Sequence, residues 1–366
     1  MQTFRKTLPI IAGLCFFIIL NLVLNFVFIP YQFTGMKIHR IETEDFQDLI
    51  LGSSHGCAAL DPDVMEEITG RKTFNAAAGG QYPRENYFLL CDALRAHKPE
   101  RVIYEYDPAY WIADERFNRV ARYQLDMMEA SSVKASYFSD LCLNGDFRYV
   151  LMPWFTFRDS LGRFRENISV KTSEAYRTFS AEPFSNSYQT CLQNGFTAIS
   201  DDAKRKDTIP ELAFSEETDP IVEKNDRYFI RLVSFCREQG IELVVITTPV
   251  PPSTLEARKD FYEQAHVLMA DLAGEFDFSF MDYTGSDNGL DRPSMSSTSD
   301  LSCIQAWPDE AYSDGEGHMY ADTARQFSAV FAQDLSGTGN RHKRTVNDKR
   351  IEICTLFPDH PGWHHK

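Results

Sequence analysis

The stretch DLILGSSHG, residues 48–56, decides the fold. Its apolar run predicts a buried β-strand, and Gly52 lets the chain turn sharply off the end of that strand. A helix is predicted at 61–70, because Asp61 stands at the cap position, Pro62 at the first helical position and Gly70 just past the end. These residues therefore begin a strand–turn–helix unit.

The same alternation of strand and helix patterns recurs on both sides of a long central segment. Before that segment, strands are predicted at 72–77 and 101–107, with a helix at 84–97 between them. After it, the predicted elements are a helix at 225–240, a strand at 241–249, a helix at 254–276, a strand at 278–283 and a helix at 320–335. Such alternation predicts right-handed crossovers and a parallel sheet covered on both faces, which is a three-layer α/β/α fold.

The central segment, about 112–222, is too long for an ordinary loop, so we expect a mostly helical insertion beside the carboxyl edge of the sheet. Trp154, Phe155 and Phe157 lie near its middle. They suit contact with a sugar or a lipid, and they equally suit the insertion's own core.

An apolar run, LPIIAGLCFFIILNLVLNFVFI, occupies residues 8–29 without a charge. At about 1.5 Å per residue it is roughly 33 Å long, enough to cross the hydrocarbon core of a bilayer. Arg5 and Lys6 precede it, and the positive-inside bias keeps such a terminus in the cytoplasm. We expect a cytoplasmic stub at 1–7, a single-pass transmembrane signal anchor at 8–30 in the plasma membrane, and an extracytoplasmic remainder.

Two asparagines interrupt this run. Asn21 and Asn25 lie four residues apart, on one face of the predicted helix. There they contact a partner helix or are simply tolerated as polar residues.

The composition excludes several classes of protein. Hydrophobic residues make up 43% of the chain and aromatic residues 13%, which is ample for a packed core and unlike a disordered chain. With 37 Lys+Arg against 53 Asp+Glu, the net charge of −16 repels a phosphate backbone, so nucleic acid is not an expected partner. A basic C-terminal tail, 338–366, is the exception to this acidity. The cysteines form no C-x-x-C pair, and we predict neither a metal nor a cofactor.

The candidate chemistry comes from two distant stretches. In open α/β sheets the reactive groups lie outside the carboxyl ends of the strands, and Ser54 stands there, two residues past Gly52. A late loop, SDGEGHMY at 313–320, supplies Asp314, Glu316 and His318. A serine hydroxyl becomes a good nucleophile when a base takes its proton, and a carboxylate holds that base in the correct tautomer.

On the Gly-Ser-Ser of residues 52–54 and this late loop, the chain resembles the SGNH/GDSL-type hydrolases. The resemblance is to their membrane-anchored, extracytoplasmic branch, which includes alginate O-acetylation proteins and the D-alanyl-lipoteichoic acid biosynthesis protein. It covers roughly residues 45–110 and 225–335. It implies a flavodoxin-like domain at 45–337, with Ser54 as the nucleophile and His318 as the general base.

The late loop departs from the family pattern, Asp-x-x-His, because Gly315 stands three residues before His318. Asp314 is the preferred triad acid, since a one-residue bulge in a glycine-rich loop restores the geometry. Glu316 is the alternative acid.

The oxyanion hole also departs from the family pattern, since the third-block Gly-x-Asn-Asp is absent. The candidate donors are the Ser54 N–H, a glycine N–H from Gly79 or Gly80, and the side chain of Asn75. Asn75 is as well suited to capping the loop backbone.

Three other titratable residues near the predicted strand ends have minor interpretations. His55 is expected to be a pocket wall or a surface residue, not the base. Glu105 and Asp107 lie on one side of a strand by its period of two, and a carboxylate pair for glycoside hydrolysis is the minor interpretation of them.

These features predict a serine-dependent acyl transfer, by an O-acetyltransferase or an esterase, on a cell-envelope polysaccharide or polymer. A membrane-bound O-acyltransferase that hands acyl groups across the membrane is the expected protein partner. The alternative is a catalytically inactive SGNH-like binding or scaffold protein that works with such an O-acyltransferase.

Overall fold

A five-stranded parallel sheet forms the centre of the molecule, in the order β2-β1-β3-β6-β7. The computed structural model describes residues 2–113, 119–144, 150–284 and 307–338. The strands of the sheet are β1 (Asp48–Leu51), β2 (Thr73–Asn75), β3 (Arg101–Glu105), β6 (Glu242–Thr247) and β7 (Ser279–Asp282). Strands β4 (Gln189–Cys191) and β5 (Thr197–Ile199) form a separate antiparallel pair. The expected α/β fold with a parallel sheet is confirmed.

Helices account for most of the remaining described chain. They are α1 (Gln2–Phe28), α2 (Thr34–Thr43), α3 (Ser54–Ala59), α4 (Pro62–Thr69), α5 (Pro83–Ala96), α6 (Pro108–Trp111), α7 (Arg119–Met127), α8 (Ser132–Asn144), α9 (Phe164–Thr172), α10 (Glu174–Arg177), α11 (Asp219–Gln239), α12 (Pro252–Ala257), α13 (Lys259–Phe276) and α14 (Ala321–Thr338). Short 3-10 helices occupy Pro153–Arg163, Glu182–Phe184 and Asp309–Ala311.

Both faces of the sheet are buried, as the continuous apolar strands require. Leu49 and Leu51 of β1 belong to one core with Phe88 of α5. Ile50, which points to the opposite face, belongs to a second core with Phe331 of α14. The first core also takes in α11 and α13, and the second takes in α3 and α4, so helices cover the sheet on both sides.

Helix α4 begins and ends where its local capping residues predict. A second helix, which the sequence predicts as continuous, is instead broken at a residue that makes a long-range contact. The Asp61 side chain accepts the Asp63 N–H, and Gly70 takes the left-handed conformation at φ 67°. The single helix predicted at 254–276 is wrong, because α12 and α13 are separated at Arg258, where φ is −125°. The Arg258 guanidinium donates to the carbonyl of Pro210 at 2.7 Å, a contact with the insertion.

Helix α1 is long and apolar enough to cross a membrane, with a mean hydropathy of 2.6 over Leu8–Phe28. The predicted stub forms no separate element, because the helix already begins at Gln2. At the other end of the chain, the predicted basic tail lies outside the described residues, apart from residue 338.

The predicted insertion, 112–222, is mostly helical and also contains the β4–β5 pair. Helices α7 and α8 pack against α5, and α7 also packs against α2. The 3-10 helix Pro153–Arg163 and α9 pack against α1. Strand β5 contacts α3, so this part of the insertion lies beside the turn that follows β1.

Candidate active site

The candidate site lies where the carboxyl ends of β1, β2 and β3 meet. Because β1 pairs with both β2 and β3, the connections from β1 and β3 leave toward opposite sides of the sheet, and a crevice forms between them. The residues at this edge are Gly52–Ser54 after β1, residues 76–80 after β2 and residues 105–107 at the end of β3.

The turn after β1 is fixed to the end of β3. The Ser53 N–H donates to Glu105 Oε2 at 2.7 Å, and Ser53 Oγ donates to Asp107 Oδ2 at 2.9 Å. Gly52 has φ +146°, and a Cβ built there would lie 2.6 Å from Glu105 Cβ. Glycine is therefore required for both its backbone conformation and the space that it leaves.

Substituting Gly52→Ala tests this close approach. We expect a loss of about 3 kcal/mol or more in the free energy of unfolding, because backbone strain adds to steric overlap. The matched control is Gly70→Ala, which also needs a positive φ but has open space around the new Cβ, and its cost is about 1 kcal/mol. Denaturant unfolding in detergent measures both variants. Equal losses in the two would contradict the packing argument.

Ser54, at the start of α3, lies between Tyr110 and Gly79. Its side chain lies near the Tyr110 phenol. A Cβ built on Gly79 would lie 3.4 Å from Ser54 Cβ, so the Gly79 backbone passes directly beside the serine. Burial, with the negative charge of Asp107, raises the pKa of Tyr110 to about 12, although the nearby Ser54 side chain opposes this. The Tyr110 phenol is therefore protonated at neutral pH.

Two backbone donors remain for an oxyanion hole. The Gly80 N–H is occupied, because it donates to Tyr110 Oη at 2.9 Å. The Ser54 and Gly79 N–H groups have no hydrogen-bond acceptor among the described residues. The first belongs to Ser54 itself and the second to the backbone that passes beside it, so both are candidates to bind the oxygen of a tetrahedral intermediate.

The Asn75 side chain caps the backbone. Its amide nitrogen donates to the carbonyls of Gly56 at 2.9 Å and Leu60 at 2.8 Å, and its oxygen accepts the Ala77 N–H. Of the two roles that the sequence left open for Asn75, the structure places it in the capping one.

Asp314 and His318 form a tight couple in the loop before α14. His318 Nδ1 lies 2.8 Å from Asp314 Oδ2, and Asp314 Oδ1 accepts the backbone N–H groups of residues 316, 317 and 318. Glu316 is 4.0 Å from the same ring nitrogen, and its side chain is 61% exposed. Asp314 is therefore the better-placed partner of His318, whose Nε2 is left for proton transfer.

The contact between Asp314 and His318 lowers the pKa of the aspartate and raises the pKa of the histidine. Burial on its own would raise the pKa of Asp314, but the hydrogen bond and positive charge of His318 lower it to about 2. Burial on its own would lower the pKa of His318, but the bond and charge of Asp314 outweigh it and raise that pKa above its ordinary value. Asp314 is thus ionised at neutral pH and makes His318 a stronger base.

The insertion is hydrogen-bonded to the loop that carries Asp314 and His318. The Lys206 N–H donates to the Ser313 carbonyl at 2.9 Å, and the Gly315 N–H donates to the Lys206 carbonyl at 3.0 Å. From the start of α12, Thr254 Oγ1 donates to the Gly315 carbonyl at 2.6 Å. Residues of two other segments therefore set the bulge that brings Asp314 to His318.

A second histidine–carboxylate pair stands beside the first. His55 Nδ1 lies 3.3 Å from Asp107 Oδ2, and its ring packs edge-on against the His318 ring with centroids 4.6 Å apart. Burial lowers the pKa of His55. Burial, with the charge of Asp107, raises the pKa of Glu105 to about 8. His55 is thus buried against the candidate base, so the surface position that the sequence left open for it is wrong.

The structure brings Ser54 and His318 to the same edge of the sheet without joining them. No hydrogen bond links the two side chains in the described part of the chain, where Ser54 lies near Tyr110 and His318 faces Asp314 and His55. Catalytic hydrogen bonds are often long or poorly aligned until substrate binds. Sequence reasoning missed Tyr110; the signal for it is the YEYDPAYW stretch that runs on from β3.

Within the described ranges, two sets of side chains have the composition of metal ligands. His55, Glu105 and Asp107 form one set, and Asp314, Glu316 and His318 form the other, each with ligand atoms within 4.8 Å of one another. A cation in the second set would compete with the Asp314–His318 hydrogen bond.

Comparison with known proteins found no family model that matches the chain and no match among curated proteins. The function is therefore inferred from the residues of this chain.

Proposed function

We propose that this protein is a membrane-anchored, extracytoplasmic enzyme of the SGNH/GDSL type that transfers a short acyl group through Ser54. The observation that carries this proposal is the placement of Ser54 against the Gly79 backbone, at the sheet edge that also holds Asp314 and His318. The sheet order supports it as well, because counting only its own strands gives 2-1-3-4-5, the order of flavodoxin-like folds.

In the proposed reaction, the Ser54 side chain turns from Tyr110 toward His318. His318 Nε2 takes the hydroxyl proton, while Ser54 Oγ attacks the carbonyl carbon of an acyl ester. The Ser54 and Gly79 N–H groups stabilise the oxyanion. His318 then gives its proton to the leaving alcohol, and an acyl-serine remains.

The second half of the reaction decides between transfer and hydrolysis. A hydroxyl of a cell-envelope polysaccharide or polymer gives up its proton to His318 and attacks the acyl-serine. The bond from the acyl carbon to Ser54 Oγ then breaks, and His318 returns the proton to Ser54 Oγ. This outcome makes the protein an O-acetyltransferase. Water in the same position makes it an esterase. Asp314 stabilises the imidazolium of His318 in both halves.

The proposed location follows from α1. With Arg5 and Lys6 near its start, before the apolar run, α1 would anchor the chain with its N-terminus in the cytoplasm and the α/β domain outside. A membrane-bound O-acyltransferase would supply the acyl group there, and the envelope polymer would accept it.

Trapping the acyl-serine tests this proposal. We expect the full-length protein in detergent, mixed with an aryl acetate and quenched in acid, to carry one acetyl group on Ser54. Fragment-ion mass spectrometry of the peptide that contains Ser53 and Ser54 distinguishes the two hydroxyls. The Asp314→Asn variant is the control, because its weaker base forms the adduct far more slowly. An acetyl group on another residue, or no adduct together with no turnover, contradicts the proposal.

A non-catalytic binding or scaffold role is the second candidate. One observation favours it: among the described residues no hydrogen bond joins Ser54 to His318, whose ring packs against His55. Complete lack of reaction with both the aryl acetate and a serine-directed fluorophosphonate, in protein that is folded, is the result expected for this role.

A further inference from the structure

Helix α1 is hydrogen-bonded to a segment of the insertion, residues 150–172, which we call the α1-facing segment. Asn21 Nδ2 donates to the Leu151 carbonyl at 2.6 Å, and Asn25 Oδ1 accepts the Trp154 N–H at 3.2 Å. The two asparagines of the apolar helix therefore have partners within the same chain.

Side chains of the same segment donate hydrogen bonds to the last carbonyl groups of α1. Asn167 Nδ2 donates to the Val27 carbonyl at 3.1 Å, and Lys171 Nζ donates to the carbonyls of Phe26 at 2.9 Å and Ile29 at 2.5 Å. The last carbonyls of a helix have no partner within the helix. Leaving such groups unpaired costs most where water is excluded, so their pairing here suits a site within a bilayer.

The depth of these contacts places the α1-facing segment within the thickness of the membrane. Asn21 precedes Phe28 by seven residues. At about 1.5 Å per residue, the bond to the Leu151 carbonyl lies roughly 10 Å along the helix from its end. If α1 spans the bilayer, the segment beside it enters the same leaflet.

The outer surface of the segment is apolar and aromatic, with cationic side chains among the apolar ones. Leu151 is 48% exposed and Phe155 46% exposed, and Leu161 and Phe164 are also exposed. Trp154 lies between them in the chain, and tryptophan is enriched at membrane interfaces. The segment has four cationic residues against two acidic ones: Arg158, Arg163, Arg165 and Lys171 against Asp159 and Glu166.

We propose that the α1-facing segment is embedded in the outer leaflet of a phospholipid bilayer, where its apolar side chains contact acyl chains and its arginines reach the headgroup phosphates. This rests on the proposed anchoring by α1. Short helices suit this position because they satisfy their own backbone hydrogen bonds, and Asn21 and Asn25 pair two backbone groups near the start of the 3-10 helix. Long cationic side chains reach toward headgroups from buried backbone positions.

Photolabelling from the lipid tests this inference. The full-length protein is placed in nanodiscs of phosphatidylcholine and phosphatidylglycerol that contain a phospholipid with a diazirine on its acyl chain. After irradiation, mass spectrometry maps the lipid adducts. We expect adducts on α1 and on the α1-facing segment. Leu143, at the end of α8, is the control, because it is also exposed and apolar but belongs to a helix that packs on α5 and α7.

The outcomes separate this inference from the anchoring on which it rests. Adducts on α1 with none on the α1-facing segment overturn the inference and leave the anchor intact. No adducts on either overturn both. Equal labelling of Leu143 and of the segment shows unselective reaction, and overturns the assignment of the segment to the bilayer.

A double variant, Asn21→Leu with Asn25→Leu, provides a second measurement. It removes both side chains that hold the start of the segment, and leucine is favourable in a membrane-spanning helix. We expect labelling of the segment to decrease and labelling of α1 to persist. Unchanged labelling of the segment would contradict the role assigned to the two asparagines.

Discussion

Replacing Ser54 with alanine is expected to lower kcat/KM for an aryl acetate by about three orders of magnitude or more, because the acyl-serine can no longer form. Covalent labelling by a fluorophosphonate should disappear in the same variant. Little loss of stability is expected, since Ser54 is the first helical residue of α3 and its N-cap is Ser53. Thermal unfolding and turnover measured on the same full-length preparation separate an effect on chemistry from an effect on folding.

Ser53→Ala is the matched control for this prediction. Ser53 caps α3 and donates to Asp107, so its loss should cost about 1 kcal/mol of stability. Turnover should remain within about tenfold of the original, because Ser54, Gly79 and His318 are untouched. The reverse pattern, with Ser53→Ala inactive and Ser54→Ala active, would assign the nucleophile to Ser53.

Replacing Asp314 with asparagine should lower turnover at neutral pH by about four orders of magnitude, as expected when a base loses the carboxylate that sets its tautomer and stabilises its charge. Glu316→Gln is the matched control, and a change within about twofold is expected because Glu316 is exposed and 4.0 Å from the ring. If instead Glu316→Gln is the inactive variant, Glu316 is the triad acid.

The pH dependence provides a second readout of the same pair. His318 accepts a proton as the neutral ring, so kcat/KM should rise with pH through the pKa of His318, which Asp314 raises above the ordinary 6.5. In Asp314→Asn, the negative charge that opposes the effect of burial on the pKa of His318 is lost. That pKa should therefore decrease, and the rise of kcat/KM should move to lower pH. If the pH at which kcat/KM rises is the same in the variant, the group that titrates in this profile is not His318.

The free energy of unfolding should also depend on pH through Asp314 and His318. The contribution of Asp314 is lost at low pH, and that of His318 is lost at high pH. The pKa of Asp314 is lowered to about 2, so its contribution is present above the ordinary carboxyl range and is lost as pH falls toward that value. The pKa of His318 is raised, so its contribution is present below the ordinary imidazole range and is lost as pH rises through the folded-state pKa.

The parts of the fold that the sequence predicts well are those with local causes. The helix that begins after Asp61 and ends before Gly70 lies where these two residues predict it, because capping and a left-handed glycine act within one turn of the chain. At the break, Arg258 contacts the Pro210 carbonyl, 48 residues away, and no local pattern reports that contact.

In the candidate site, too, features with local causes are predicted and features set by distant residues are not. Ser54 and His318 are predicted from the turn after a strand and from a short acid-rich loop, and the structure places both at the carboxyl edge of the sheet. The sequence also favours Asp314 over Glu316 by assuming a bulge in this loop, but it does not report the contacts from Lys206 and Thr254 that shape the loop from elsewhere in the chain. Tyr110 was missed for a related reason, since aromatic residues after a strand are most often core residues.

The hydrogen bonds between α1 and the α1-facing segment have a practical consequence for protein production. Truncation at Pro30, a common way to obtain a soluble fragment of an anchored protein, would leave the Leu151 carbonyl, the Trp154 N–H, Asn167 and Lys171 without the partners that α1 supplies. The fragment would also display the exposed apolar surface around Phe155 to water and invite self-association. Purification of the whole chain in detergent or nanodiscs keeps these contacts intact.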